Sequence, residues 1–260
     1  MHLKPVEYGN RNAPLLLFLH GGGVSSWMWD KQIEMLSTYR CVTIDCPGHG
    51  ELQHLSSFSI QSTAAAINDW ISAHSNEQTV TVIGFSLGAQ VLIQMMSDRP
   101  HLIDYALINS ASVEPQNWLK RSIKPLISLT FPLLKNKTFA KRQASSLGLG
   151  EAYFDRYFEE TRQIKRQTLI DVLEENLSFQ LPPSFSQATT KCLVTVGEKE
   201  LGKMKTSAAR LVAANNHCTG VIVEGVGHGI SFTHPEVLHQ LITCWIEKQE
   251  LPNQPGFQII

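Results

Sequence analysis

One serine lies between two glycines at the junction of an apolar run and a helix-like stretch. The pentapeptide G-F-S-L-G at positions 84–88 follows the β-branched run 79–83 and precedes the apolar segment 89–96. A G-x-S-x-G turn in this position lifts a serine hydroxyl clear of a sheet. Glycine is needed on both sides because the serine backbone is strained and a flanking Cβ would collide with the strand and the helix. We therefore identify Ser86 as the candidate nucleophile.

A serine hydroxyl is a weak nucleophile at neutral pH and requires a base. Among ten histidines, His228 is best placed, because it lies between two glycines after the strand-like segment 220–223 and before the last helical pattern. His49 also follows a strand-like segment but precedes the serine, and we expect it to shape a turn. His20 is expected to brace its own loop through a ring hydrogen bond.

Backbone amides for the negative charge of an acyl-transfer intermediate are expected at two places. The buried run 15–19 leads into the segment H-G-G-G at positions 20–23, where glycine lets the backbone approach a ligand closely. The amide of Leu87, at the start of the helix after Ser86, and an amide from Gly22 or Gly23 would together form an oxyanion hole. Losing one such donor lowers turnover by ~10²–10³-fold in well-studied enzymes.

The motifs and their order resemble those of the α/β-hydrolase family. They are H-G at 20–21, D-x-P-G-H-G at 45–50, G-x-S-x-G at 84–88 and G-H at 227–228, and the nucleophile precedes the histidine. The resemblance runs from about residue 5 to about residue 248 with one interruption. It implies an acid between Ser86 and His228, just past the strand before the last, in a G-x-x-D pattern.

A glutamate occupies the position where the family usually has an aspartate. The run 192–196 leads into G-E-K-E at 197–200, so Glu200 is the candidate that would orient the histidine. Glu198 is its neighbour and competitor. Glu114, which follows the strand-like run 105–109, lies in the other loop from which related enzymes sometimes supply the acid.

Strand-like and helical segments alternate along most of the chain. This pattern predicts an α/β fold with a mainly parallel, doubly wound sheet that is covered on both faces. In such sheets the ligand lies beyond the carboxyl ends of the strands, where the candidate site residues all lie. The predicted strands lie near 15–19, 41–44, 79–83, 105–109, 192–196 and 220–223, and the predicted helices near 27–38, 60–74, 87–98, 204–215 and 234–248.

The alternation stops between residues 112 and 186, where the pattern is helical throughout. The resemblance implies a helical cap here, inserted after the sixth strand, so that residues 1–111 and 187–260 form the core and 112–186 the cap. The first half of this segment is basic, and a solvated helix face, an anionic substrate or a membrane surface would each account for that. The tail from residue 251 to 260 is expected to be loosely held.

Composition limits the function classes. A formal charge of −1 and the absence of a long basic run argue against a nucleic-acid binder. Five cysteines without ligand-like pairs predict buried thiols in a reducing compartment and no metal site. The first residues lack the apolar core of a signal peptide, and no apolar run is long enough for integral membrane association. We expect a soluble cytoplasmic protein with a small-molecule substrate and no cofactor; its oligomeric state stays open.

The candidate nucleophile, base, acid and oxyanion amides together predict a serine hydrolase that cleaves an ester of a small or medium apolar acyl group. The segment 112–186 offers apolar side chains for such a substrate, among them Phe131, Phe154, Tyr157 and Phe158. In the family that this chain resembles, the same constellation also serves carbon–carbon bond hydrolysis, menaquinone-pathway lyase chemistry and cofactor-free haloperoxidase activity. Some proteins of this fold act instead as small-molecule receptors or signalling partners without turnover.

Overall fold

The computed structural model describes residues 3–55, 57–75 and 77–260. Within them, eight strands form one sheet in the order β1-β3-β2-β4-β5-β6-β7-β8. Strands β2 to β7 are parallel, whereas β1 and β8 join the two edges in antiparallel pairing. The strands are β1 Val6–Tyr8, β2 Leu15–Leu19, β3 Arg40–Ile44, β4 Val80–Phe85, β5 Tyr105–Asn109, β6 Lys191–Gly197, β7 Cys218–Val223 and β8 Phe257–Ile259. The predicted mainly parallel α/β sheet is therefore confirmed.

Helices cover both faces of this sheet. Strands β2, β3 and β4 are buried along their whole length because each lies between two helical layers. Alternate residues of β2 separate into the two cores: Leu15, Leu17 and Leu19 join one, and Leu16 and Phe18 join the other. The helices are α1 Asp30–Met35, α2 Ile60–His74, α3 Leu87–Asp98, α4 Asn117–Thr130, α5 Lys137–Ser146, α6 Glu151–Gln163, α7 Arg166–Ser178, α8 Gly202–Ala214, α9 Ile230–Thr233 and α10 Pro235–Lys248.

Two details differ from the sequence prediction. The tail was expected to be loosely held, yet Phe257–Ile259 pairs with β7 as an edge strand. The sequence did not predict this strand because three residues are too few to show a periodic pattern. The helices α4–α7, called here the inserted helices, follow β5. Counted along the described residues, β5 is the fifth strand rather than the sixth, because a single strand, β1, precedes β2 there. The division into core and cap at residues 112 and 186 stays a prediction.

Polar contacts attach the inserted helices to the rest of the chain. In α7, a Glu175 carboxylate oxygen accepts the Ile60 N–H at the start of α2 at 2.7 Å. The Asn176 side-chain amide donates to the Gln90 side chain of α3 at 3.0 Å. In α6, Glu160 accepts hydrogen bonds at 2.9 Å from the hydroxyl of Ser25 and the indole of Trp27. The inserted helices are thus held beside the loops at the carboxyl ends of the strands.

Candidate active site

Ser86 stands in the sharp turn between β4 and α3. Its backbone has φ 52° and ψ −108°, which is a strained conformation for a residue with a side chain. A Cβ added at Gly84 would lie 2.6 Å from the Gly88 carbonyl oxygen, and one at Gly88 would lie 2.6 Å from the His20 carbonyl oxygen. Both glycines are therefore required by the close approach of helix and strand, as the sequence pattern indicated.

His228 and Glu200 form a hydrogen-bonded pair next to this turn. The His228 Nδ1–H donates to Glu200 Oε2 at 2.7 Å, and the imidazole also packs on the Phe85 ring with centroids 4.8 Å apart. The Glu200 side chain is 2% exposed, whereas that of His228 is 31% exposed. With Nδ1 engaged, Nε2 is the nitrogen left for proton transfer. Ser86 and His228 line one cavity but share no hydrogen bond among the described residues, and such contacts often tighten only with substrate bound.

Glu200 is held as a carboxylate by its neighbours. Its Oε1 accepts the Ser110 hydroxyl at 2.7 Å and the Gly197 N–H at 2.8 Å. Burial acts to raise the pKa of Glu200, but the hydrogen bond and charge of His228, with the donors Ser110 and Gly197, outweigh it and hold this pKa below its ordinary value. The carboxylate is therefore ionised at neutral pH and fixes the histidine tautomer.

The other two candidate acids are engaged elsewhere. Glu198 accepts the Gly225 N–H at 2.8 Å, and Glu114 pairs with Arg210 at 3.0 Å. Of the three glutamates considered from the sequence, the structure brings Glu200 to His228.

In the loop after β2, the amides of Gly22 and Gly23 differ in their hydrogen bonding. The Gly23 N–H donates to His49 Nε2 at 3.3 Å and is therefore already used. The amides of Gly22 and Leu87 have no hydrogen-bond partner among the described residues, and both residues line one cavity with Ser86. The geometry favours Gly22 and Leu87 as the pair of oxyanion donors.

Two histidines, His20 and His49, hold the loops after β2 and β3 through hydrogen bonds to the backbone. His49 Nδ1–H donates to the Pro47 carbonyl at 3.2 Å; burial, reinforced by His20, lowers the pKa of His49 to about 3. A neutral His49 keeps Nε2 free to accept the Gly23 N–H. His20 Nδ1–H donates to the Gly21 carbonyl, while its Nε2 accepts the Cys46 N–H, each at 2.8 Å. His20 thus braces its own loop, as the sequence suggested, and also ties it to the loop after β3.

Ser110 was missed by the sequence reading. It follows β5 with φ 56°, and its hydroxyl reaches across to Glu200. The sequence feature that could have identified Ser110 is its place at the carboxyl end of a predicted strand. In the structure this strand, β5, lies next to β6, which precedes Glu200.

Replacing Ser110 with alanine should lower kcat modestly, by about tenfold, because Glu200 keeps the Gly197 and His228 contacts but loses one of three donors. The pH profile of kcat/KM should move with it, because losing this donor raises the pKa of Glu200 and weakens its hold on His228. Ser110→Gly also removes the hydroxyl but adopts φ 56° without strain, so a similar loss in this variant would assign the effect to the hydrogen bond rather than to the backbone. An Ala variant with an unchanged rate and profile would remove Ser110 from this role.

Asp45 was recognised only as part of a motif, and the structure shows what it holds. Its Oδ1 accepts the Ser26 N–H at 2.8 Å and hydroxyl at 2.5 Å, and its Oδ2 accepts the Glu51 N–H at 2.9 Å. Burial acts to raise the pKa of Asp45, but His20 and these donors outweigh it and lower it. The carboxylate therefore links the loops after β2 and β3.

Asp45→Asn should destabilise the protein by about 2 kcal/mol at pH 7, because an amide NH₂ would face a backbone N–H. Since the pKa of Asp45 is lowered on folding, its contribution is present above the unfolded pKa of about 3.9 and is lost as the pH falls through the lower folded value. Urea unfolding between pH 7 and pH 3 measures this, and the variant should lose less stability across that range. If the free energy of unfolding of the wild type and of Asp45→Asn changed equally with pH, the stabilising role of the Asp45 carboxylate would be contradicted.

Ser86 lies between two cavities that the inserted helices help to line. The one on the His228 side, called here the His228 cavity, has a volume of about 430 Å³ and is bordered by polar and charged residues that include Ser112, Asn176, Lys199 and Lys203. The one on the Gly22 side, called here the Gly22 cavity, has a volume of about 320 Å³ and is bordered by Leu87, Leu147, Tyr157, Leu169, Val172 and Leu173, among others. Ser146 and Asn176 border both cavities.

Of the apolar residues expected to meet substrate, Tyr157 lines the Gly22 cavity. Phe154 and Phe158 stack on each other at 6.1 Å, and Phe131 packs against the cluster between α4 and α7. Within residues 3–55, 57–75 and 77–260, no group of three or more His, Cys, Asp or Glu side chains is placed to hold a metal ion.

Comparisons with known proteins agree with this geometry at the level of the family. A sequence model of the alpha/beta hydrolase family matches residues 16–241. The chain is 31% identical over 115 residues to a probable alcohol acetyltransferase of Wickerhamomyces anomalus, a match that spans 43% of this chain and 33% of that protein.

Two longer similarities cover nearly the whole chain. It is 22% identical over 247 residues to the (E)-2-((N-methylformamido)methylene)succinate hydrolase of Acinetobacter baylyi, covering 89% of this chain and 90% of that protein. Among solved structures, the esterase EaEST from Exiguobacterium antarcticum superposes with a TM-score of 0.78 over 95% of both chains at 16% identity, which is a likeness of fold.

Proposed function

Because the chain belongs to the alpha/beta hydrolase family, we propose that it is a serine hydrolase that cleaves a carboxylic ester through an acyl-enzyme on Ser86. The observation that carries the proposal is the 2.7 Å pair of His228 and Glu200 on the wall of a cavity that also holds Ser86. The unpartnered amides of Gly22 and Leu87 in the adjoining cavity support it.

The proposed reaction follows from these positions. Ser86 Oγ attacks the ester carbonyl carbon while its proton passes to His228 Nε2, and the amides of Gly22 and Leu87 receive the oxyanion. Glu200 remains ionised and stabilises the imidazolium. Collapse of the intermediate breaks the bond to the alkoxy group, which leaves as the alcohol with the proton from His228. Water then attacks the acyl-enzyme with the same base and releases the acid.

The two cavities suggest how the substrate lies. We place the acyl group in the Gly22 cavity, because Leu169, Val172 and Leu173 of α7 line it and an acyl chain gains by burial against such side chains. The alcohol part would then lie in the His228 cavity beside Lys199 and Lys203. Hydrolysis by the Acinetobacter baylyi relative and the esterase named among the solved structures supports the reaction class.

Labelling with a fluorophosphonate probe tests the proposal directly. We expect one adduct on Ser86 in the wild type and none in Ser86→Ala or His228→Ala, with the site read by intact mass and peptide mapping. Ser112→Ala is the matched control, because this serine lines the His228 cavity, as Ser86 does, and has no proposed role in catalysis. Turnover of a series of p-nitrophenyl esters of increasing acyl length then measures the preference.

Two results that would contradict the proposal point to different alternatives. An adduct on Ser86 without multiple turnover of any ester would point to carbon–carbon bond cleavage or lyase chemistry by the same residues. A folded protein that forms no adduct would overturn the activated serine and favour a binding protein.

A further inference from the structure

Helix α4 carries an apolar stripe that the rest of the described chain leaves uncovered. Trp118 and Leu129 are 76% and 79% exposed, and Leu126 is exposed as well. At 100° per residue, these three side chains fall within about 80° of one another around the helix. Leu133, also exposed, continues the stripe in the 3₁₀ turn Phe131–Lys135 that follows. We call these four residues the α4 stripe.

The α4 stripe is distinct from the face by which the helix is packed. Ile123 and Ile127 are buried against Ile170 of α7, and they lie on another side of α4. The helix therefore has one apolar face for folding and a second one exposed to solvent. A solvent-exposed Trp and three Leu in one stripe cost hydration free energy that another surface would relieve.

The segment that carries the α4 stripe is strongly basic, and Arg121 borders Trp118 at about 60° around the helix. Residues 115–150 contain seven Lys and Arg and no Asp or Glu, although the whole chain has a formal charge of −1. Lys124 and Lys141 reach Glu174 and Glu151 at 3.9 and 3.5 Å. All seven side chains are exposed, so pairing at the surface neutralises little of this charge. They are Lys120, Arg121, Lys124, Lys135, Lys137, Lys141 and Arg142.

We propose that α4 docks the protein onto an anionic lipid surface, with the α4 stripe inserted at the level of the headgroups. An interfacial helix combines an apolar face that enters the lipid with Lys and Arg that remain at the charged headgroups. Trp is suited to that boundary because its ring is amphipathic. None of the described helices is long and apolar enough to cross a bilayer, so the attachment is peripheral.

Charge decides between a lipid surface and a second copy of the chain. Two copies that meet through their α4 stripes would bring two clusters of seven basic residues together, and like charges oppose that contact. An anionic surface has the complementary sign. The α4 stripe and the seven basic residues are also absent from the walls of both cavities at Ser86, so the docking is independent of the proposed catalysis.

Vesicle flotation with the full chain tests this proposal. Vesicles of phosphatidylcholine alone are compared with vesicles that contain about 30% phosphatidylserine, at about 0.1 M and about 1 M salt. We expect binding to the anionic vesicles at low salt, with at least about tenfold weaker binding to neutral vesicles or at high salt. Trp118→Ser with Leu129→Ser should weaken binding by at least about tenfold, and Arg121→Gln, which removes the charge beside Trp118, by about fivefold.

Matched controls come from other exposed residues. Ile259→Ser removes an apolar side chain that is 74% exposed on β8, and Lys31→Gln removes an exposed charge from α1; neither should change binding. Circular dichroism confirms that each variant is folded. Three results would overturn the proposal: no binding to anionic vesicles at low salt, unchanged binding of the Trp118→Ser, Leu129→Ser variant, or a dimer in light scattering that this variant abolishes.

Discussion

Replacing Ser86 with alanine is expected to lower kcat on the preferred ester by about 10⁴- to 10⁶-fold, and adding His228→Ala should cost little more. The pair acts as one unit, because His228 Nε2 has no proton to accept once the serine oxygen is gone. The single variant His228→Ala should therefore lose nearly as much activity as Ser86→Ala. Steady-state kinetics of the two single variants and the double variant measure this, and any remaining rate reports binding and the Gly22 and Leu87 amides.

Ser112→Ala supplies the control for this cycle. It removes a hydroxyl from the wall of the same cavity and should leave kcat within about threefold of the wild type. Losses from Ser86→Ala and His228→Ala that multiply in the double variant would contradict a shared role. The assignment of nucleophile and base would then have to be abandoned.

Replacing Glu200 with glutamine is expected to lower kcat by about 10⁴-fold while the protein stays folded. A glutamine has one oxygen, but the carboxylate accepts Ser110 and Gly197 on Oε1 and His228 on Oε2. If the amide oxygen keeps the first two contacts, its NH₂ faces His228 Nδ1. The imidazole must then carry its proton on Nε2, which is the wrong tautomer for accepting the proton of Ser86.

Glu198→Gln and Glu114→Gln are the matched controls and should change kcat little, because each carboxylate is bound elsewhere. Loss of activity in one of them, with Glu200→Gln active, would transfer the orienting role to that glutamate.

The pH dependence of the free energy of unfolding gives a second check on Glu200. Because the pKa of Glu200 is lowered on folding, its stabilising contribution is present above the unfolded pKa of about 4.3 and is lost as the pH falls through the lower folded value. Glu200→Gln should flatten that part of the stability profile.

Local patterns in the sequence were sufficient for the sheet and for the turns at Ser86 and His228. Each buried strand from β2 to β7 is a short apolar run, and the order of strands and helices follows from alternation along the chain. Ser86 and His228 became candidates because glycines next to each of them mark a tight backbone turn. The edge strands β1 and β8 were not predicted, because three residues, none of them fully buried, show no usable period.

The remaining choices depended on contacts between residues far apart in the chain. The sequence left three glutamates as candidates for the acid that orients His228. In the structure, Glu200 is the one of the three that forms a hydrogen bond to His228, across the ends of β6 and β7. Gly22 became the preferred candidate for the second oxyanion donor because the Gly23 N–H donates to His49, which lies on the loop after β3.

The sequence by itself determined the fold class and the turns that hold Ser86 and His228, because these depend on backbone conformation and on periodic burial within short segments. Only the tertiary structure decided which carboxylate meets His228, that Ser110 supports it from 90 positions away, and which face of α4 stays uncovered. Side-chain hydrogen bonds and burial of this kind depend on how elements are placed in space, and spacing along the chain does not encode that placement directly.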